Sequence, residues 1–127
     1  MASVASTSSP TVRAYAHCTA AGSGYTAGSV VVYAMNLDNA TAKLQLDVKP
    51  TSQRLQQYVF TAPQQKLTSD NIELNGHIVR MTSDEQLPVF TPVTSHLEDG
   101  VHMPPYSIAF YVLPDASAKA CISKRSA

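Results

Sequence analysis

Few residues in this 127-residue chain are suited to acid–base, thiol or metal chemistry. They are His17, His77, His96 and His102, the cysteines Cys18 and Cys121, and the glutamates Glu73, Glu85 and Glu98. A metal centre needs three or four converging ligands. His96 and His102 lie six apart in a loop-like stretch, which is not a ligand spacing. His17 beside Cys18 suggests a thiol activated by imidazole, but neighbours on a strand point to opposite faces. The glutamates lack the surroundings of a buried catalytic acid. Glu85 and Glu98 stand in polar, proline-flanked stretches and read as solvated carboxylates. There is no glycine-rich phosphate loop, no CxxC, no HExxH and no Gly-x-Ser-x-Gly elbow. No catalytic residue, no cofactor site and no metal site is expected.

The bulk properties exclude further classes. Nine Lys and Arg balance nine Asp and Glu, so the chain lacks the basic footprint of a nucleic-acid binder. Charged residues are 14% of the chain, well below the usual quarter, and a neutral, sparsely charged surface favours association. No apolar run reaches the roughly 18 residues of a membrane span. Residues 1–10 have neither a basic nor an apolar region, so they read as a flexible Ser/Ala/Thr lead-in and not a signal peptide. Asn39-Ala40-Thr41 is a glycosylation sequon in a predicted turn. The tyrosines and phenylalanines fall mostly within strands, which favours core packing over an exposed glycan platform. Arg13, Arg54 and Arg80, if clustered with exposed tyrosines, would make a glycan-binding face. Two cysteines alone leave both a buried thiol pair and one long-range disulfide open.

The pattern that must position these residues is all-β. Residues 105–114 form the longest nearly unbroken apolar run, closed by proline at both ends, and read as a central strand covered on both faces. Residues 11–18 alternate, with Val12, Ala14, Ala16 and Cys18 on one face and Arg13, Tyr15 and His17 on the other. After a Gly-rich loop, residues 29–37 are apolar on both faces. Asp38-Asn39 marks a turn, and residues 41–48 alternate cleanly, so 29–48 reads as a hairpin. Proline and polar residues at 50–52 break the pattern, and 53–60 leans to strand. Asn75-Gly76 between apolar residues predicts a type I′ hairpin over 72–81. Residues 87–103 read as mostly irregular, and a last short strand reaches Cys121 and Ile122. The expectation is one antiparallel β-sandwich of about 7–8 strands over 11–122, with a lead-in at 1–10 and a tail at 123–127.

Several stretches combine into a family likeness. They are Arg13-Ala14-Tyr15-Ala16-His17-Cys18-Thr19, then Val32-Tyr33-Ala34-Met35-Asn36-Leu37-Asp38-Asn39-Ala40-Thr41, then Ile72-Glu73-Leu74-Asn75-Gly76 and Leu87-Pro88. Pro105-Tyr106-Ser107-Ile108-Ala109-Phe110-Tyr111-Val112 and Ala120-Cys121-Ile122 complete the set. In this order and spacing, residues 12–122 resemble the C-terminal domain of heparanase and heparanase-like glycoside hydrolases of family 79. The resemblance implies a β-sandwich flanking a (β/α)8 barrel, a disulfide between Cys18 and Cys121, and glycosylation at Asn39. It implies a secreted, extracellular or lysosomal setting and a parent acting on glucuronide linkages in heparan sulfate. The family's two catalytic glutamates sit at barrel strand ends. This chain has no barrel, so no residue here inherits their role. The implied function is a non-catalytic domain that supports the barrel and secretion, with the barrel as partner and heparan sulfate or a protein as further candidates. The alternative is a stand-alone secreted module that binds a glycan or a protein. In the family the sandwich is also completed by chain from the N-terminal part, which leaves an edge or apolar strip to be covered.

Overall fold

The 105–114 run is the centre of the molecule. In this computed structural model, which describes residues 5–6, 11–20, 22–46, 54–80, 86 and 88–126, ten strands and a short terminal helix appear. They are β1 (Ala5–Ser6), β2 (Val12–Cys18), β3 (Val30–Asn36), β4 (Ala42–Leu46), β5 (Arg54–Thr61), β6 (Glu73–Leu74), β7 (His77–Ile78), β8 (Val93–His96), β9 (Val101–Met103), β10 (Ser107–Leu113) and α1 (Lys119–Ser126). β10 pairs antiparallel with β3 on one side and β5 on the other along nearly its whole length. The large sheet runs β2-β3-β10-β5-β6-β7, with β8 also on β5. A small sheet, β1-β4-β9, lies against its inner face. The expected ends of the 41–48 and 72–81 segments, residues 50–53, Glu85 and Leu87 lie outside the described residues.

The core follows from strand parity. β2, β3 and β10 turn Val12, Val30, Val32, Ala34, Ala109, Tyr111 and Leu113 inward, where Leu44 of β4 and Val101 and Met103 of β9 meet them. One polar atom in this layer stands out. Among the described residues the buried Tyr111 hydroxyl has no hydrogen-bond partner, and burial pushes its pKa well above the usual tyrosine range. An unmade hydrogen bond in an apolar core is unfavourable. Tyr111→Phe, which keeps the ring, is therefore expected to stabilise the fold by about 1 kcal/mol in chemical denaturation. A loss of stability would show that the hydroxyl serves a purpose.

Three local expectations are corrected. Residues 29–48 hold two strands but no hairpin. β3 is flanked by β2 and β10 in the large sheet, while β4 pairs with β1 and β9 in the small one. β3 takes two neighbours in its own sheet, so β4, with its single apolar face around Leu44, packs over the core from the opposite side. The chain crosses between sheets at 37–41. The stretch at 87–103 is more ordered than its prolines suggest. It carries β8 on the edge of β5 and β9 beside β4, and Pro92 stands just ahead of β8, where no ladder donor is needed. The last segment is helical, not extended. Ser117 takes a left-handed turn with φ 51°, and the amides of Cys121 and Ile122 donate back to Ala118. Lys, Ala and Arg favour helix, and only Cys121 and Ile122 favoured a strand. Gly28 makes room for this turn. Its φ is 95°, and a Cβ there would stand 3.1 Å from both Ile122 and Ser117.

The Asn75-Gly76 hairpin forms as expected, with φ of 50° and 85° at the two turn residues and β6 paired to β7 on either side. Its asparagine does more than turn the chain. β6 pairs with β5 at Phe60 and Thr61, and β8 pairs with β5 at residues 54–57, which leaves a gap between them. Asn75 fills it. Its Oδ1 accepts from the Val59 amide at 3.0 Å, its Nδ2 donates to the Gln57 carbonyl at 3.0 Å, and its own amide donates to the Val59 carbonyl at 2.7 Å. One side chain thus continues the ladder between two short strands. Among the described residues no helix is long and apolar enough to cross a membrane.

Candidate functional site

The outer face of the large sheet is where the structure departs most from a closed core. Residues opposite one another in an antiparallel sheet share a face. Three outward rows therefore cross β2, β3, β10 and β5: Arg13–Met35–Ile108–Phe60, Tyr15–Tyr33–Phe110–Tyr58, and His17–Val31–Val112–Gln56. Ring centroids lie 5.5 Å apart for Tyr15 and Tyr33, 6.4 Å for Tyr33 and Phe110, and 6.2 Å for Phe110 and Phe60. Phe90 packs edge-on against Phe60 at 5.8 Å. Much of this surface faces solvent: Tyr15 is 52% exposed, Ile108 50%, Phe110 39% and Met35 36%. The expected core placement of the tyrosines is thus corrected. Among the described tyrosines only Tyr111 lies in the core. The others on strands share the outward parity of Arg13 and His17. β10 is likewise covered fully on its inner face but only partly on its outer one.

At the end of this face, where β5 begins and β10 finishes, lies an open cleft of about 510 Å³. The 22–28 loop, the start of β5, Pro92 and residues 114–115 enclose it. The Tyr25 hydroxyl is 2.5 Å from Gln56 Oε1 and 2.7 Å from the Tyr58 hydroxyl. Burial pushes its pKa above the usual tyrosine range, and the hydrogen bond with Tyr58 adds to the shift. Arg54 donates from Nε and Nη2 to the two carboxylate oxygens of Asp115 at 3.2 and 3.3 Å. These residues are 31 to 61 positions apart in sequence, so no local motif marks them. Sequence reasoning found Arg54 and missed Tyr25, Gln56 and Asp115 as a group.

The residues singled out from the sequence are scattered. His17 faces outward, with Nε2 3.1 Å from the Tyr33 hydroxyl. Cys18 faces inward and is bonded to Cys121 across 103 positions, with Cα atoms 5.3 Å apart. His77 is on β7, His96 on β8 in the large sheet, and His102 on β9 in the small one. Among the described residues no three His, Cys, Asp or Glu side chains are grouped to hold a metal. Glu73 faces Thr61, and Glu98 follows His96, which faces Arg54. The two glutamates thus belong to stretches that flank opposite ends of β5. Arg13 and Arg54 stand at opposite corners of the sheet, roughly 25 Å apart by strand spacing and rise. Arg80 follows β7 beside Phe90 and Val93. The arginines form no common patch. Asn39 is exposed in the crossing between the sheets, its amide bonded to Asp38 Oδ1.

No protein-family profile matches the chain. Individual proteins do. A heparanase of Bos taurus is 33% identical over 124 residues, 96% of this chain and 23% of that protein. Inactive heparanase-2 of Homo sapiens is 30% identical over 112 residues, 87% of this chain and 19% of that protein. A hyaluronoglucuronidase of Hirudo nipponia is 31% identical over 114 residues, 86% of this chain and 22% of that protein. The chain therefore spans about a fifth to a quarter of the length of these relatives. With the sandwich and its Cys18–Cys121 closure on one side and these similarities on the other, the chain is a heparanase-like β-sandwich domain.

Proposed function

We propose that this chain is the non-catalytic C-terminal sandwich of a heparanase-like endo-β-glucuronidase, a glycoside hydrolase acting on heparan sulfate. Its role is to stabilise a catalytic (β/α)8 barrel and to aid secretion. The carrying observation is the open apolar area of Met35, Ile108, Phe110 and Tyr15 on the outer sheet face. Apolar surface of this kind marks a protein interface, and a barrel elsewhere in the parent is the partner that this reading assigns to it.

Carboxylate geometry supports the non-catalytic half of the reading. Glycosidase carboxyl pairs stand roughly 5–10 Å apart across the scissile bond. Glu73 and Glu98 belong to stretches that flank opposite ends of β5. The relatives support it as well. A heparanase, a protein named inactive and a hyaluronoglucuronidase match the chain at 33%, 30% and 31% identity. A domain shared so evenly across different activities is not what sets the activity. In this reading residues 11–122 are the folding unit, the protein is secreted, extracellular or lysosomal, and the exposed Asn39 carries a glycan. The same open face favours, as a second reading, a stand-alone secreted module that binds another protein or a glycan.

The test is an assay of the isolated chain for cleavage of heparan sulfate, read as new reducing ends. No product above the buffer blank is expected. Turnover by the chain alone would overturn the non-catalytic assignment.

A further inference from the structure

We propose that the cleft bounded by Tyr25, Arg54, Gln56, Tyr58 and Asp115 is a binding site for a short neutral saccharide. Its volume, about 510 Å³, falls within the range of small-ligand pockets. Its lining has the composition that a sugar requires. A pyranose presents hydroxyl groups around its rim, each both donor and acceptor, and an apolar C–H face on either side. Tyr25 and Tyr58 offer ring surface for that face and hydroxyls for the rim. Gln56 adds an amide, with donors and an acceptor in one plane. The Arg54–Asp115 pair sets planar donors and planar acceptors side by side at the mouth.

The lining is ordered before any ligand arrives. Two hydrogen bonds link Tyr25 to Gln56 and Tyr58, and two more link Arg54 to Asp115. Order of this kind lowers the entropy lost on binding. It also joins the 22–28 loop to β5, and β5 to the turn after β10; with Pro92, the walls come from four separate parts of the chain.

Charge selects the class of sugar. The guanidinium of Arg54 faces the carboxylate of Asp115 at 3.2 Å, so the charges among the described lining residues balance. Arg13 stands at the far corner of the sheet, beyond a Debye length of roughly 8–10 Å. The chain as a whole is neutral. Among the described lining residues a sulfated polyanion would meet a single basic group already paired with a carboxylate, whereas an uncharged hexose or N-acetylhexosamine chain meets matched donors and acceptors. The cleft adjoins the apolar area assigned above to a barrel and does not overlap its Met35–Ile108 row. Tyr58 of the cleft neighbours Phe110 of that area, and titration of the isolated chain tests the cleft apart from the barrel assignment.

The experiment is an amide NMR titration of the whole chain with cellotriose, with the trimer of N-acetylglucosamine, and with a heparin tetrasaccharide. Saturable millimolar shifts at Tyr25, Gln56 and Tyr58 with either neutral trimer are expected. Gln56→Ala and Asp115→Asn should each weaken that binding about tenfold or more, with resonances of β3 and β10 unmoved to show an intact fold. Absence of shifts with both trimers would reduce the network to a tether for the 22–28 loop and overturn the proposal. Tighter binding of the heparin tetrasaccharide, falling steeply with salt, would overturn it too, by placing a polyanion site where a neutral one is claimed.

Discussion

Replacing both Cys18 and Cys121 with serine is expected to destabilise the isolated chain by about 4–5 kcal/mol. The bond ties positions 103 residues apart, and a cross-link stabilises mainly by restricting the unfolded chain, more so for a longer loop. Its placement adds to the effect. Cys18 ends β2, the first long strand, and pairs opposite Val30 at the start of β3. Among the described side chains of the terminal helix, Cys121 alone is in the core cluster. Beside the bond, the Ala118 amide just ahead of α1 donates to the Gly28 carbonyl, and Ile122 stands close to that glycine. A helix of eight residues has marginal stability of its own. A fall in melting temperature of roughly 15 °C is expected for a domain of this size, with earlier loss of protection in 119–126 than in β10 by hydrogen exchange. A fall of only two or three degrees would mean that the unfolded chain is already restricted by other means.

The second large effect is expected at Asn36. It is fully buried at the end of β3, where the chain leaves one sheet for the other. Its Nδ2 lies 2.9, 3.0 and 3.3 Å from the carbonyls of Ala40, Pro104 and Met103, and its Oδ1 accepts from the Asp38 amide at 3.0 Å. One side chain therefore satisfies the backbone on both sides of the crossing and joins it to the end of β9. Each buried polar group left unmatched costs about 1–3 kcal/mol. Asn36→Ala is expected to lose about 3–5 kcal/mol in urea denaturation, counting the volume removed as well. Asn36→Asp separates the two contributions. It preserves shape and the acceptor for Asp38 but presents an oxygen to three carbonyls, so a comparable loss is expected although no volume is removed. A near-neutral Asn36→Asp would show that packing, not hydrogen bonding, holds this corner.

Strand identities were legible wherever the local pattern was strong. The alternation of residues 12–18, the proline-bounded run at 105–114 and the Asn75-Gly76 turn each correspond to an element of the structure, because period and turn chemistry act over a few residues. Pairing was less legible. Nothing between residues 37 and 41 reveals whether β4 folds back onto β3 or crosses to a second sheet. That depends on β10, some seventy residues later, occupying the edge of β3. The terminal helix was hidden by Cys121 and Ile122, two strand-favouring residues within a segment whose left-handed Ser117 and Ala118–Gly28 bond start a helical turn.

The site was least legible of all. The Tyr25–Gln56–Tyr58 network and the Arg54–Asp115 pair exist only because β10 brings β5 alongside β3 and its loop. Aromatic residues on strands gave no sign of which face they take until register was known. A single parity then placed Tyr15, Tyr33, Tyr58, Phe60 and Phe110 together on the outside.

That outer face carries the central claim, and one measurement addresses it most directly. The chain is substituted for the matching segment of the Bos taurus heparanase, and secreted heparan sulfate–cleaving activity is measured with and without Ile108→Lys and Phe110→Lys together. Both residues point outward and lie outside the core, so the sandwich itself should fold with the lysines present, which its own melting temperature can verify. A secreted, active chimera that loses most of its secretion and activity on introduction of the two lysines is the predicted result. A chimera that is secreted and fully active with both lysines in place would contradict the account, because the face assigned to the barrel would then be free of it.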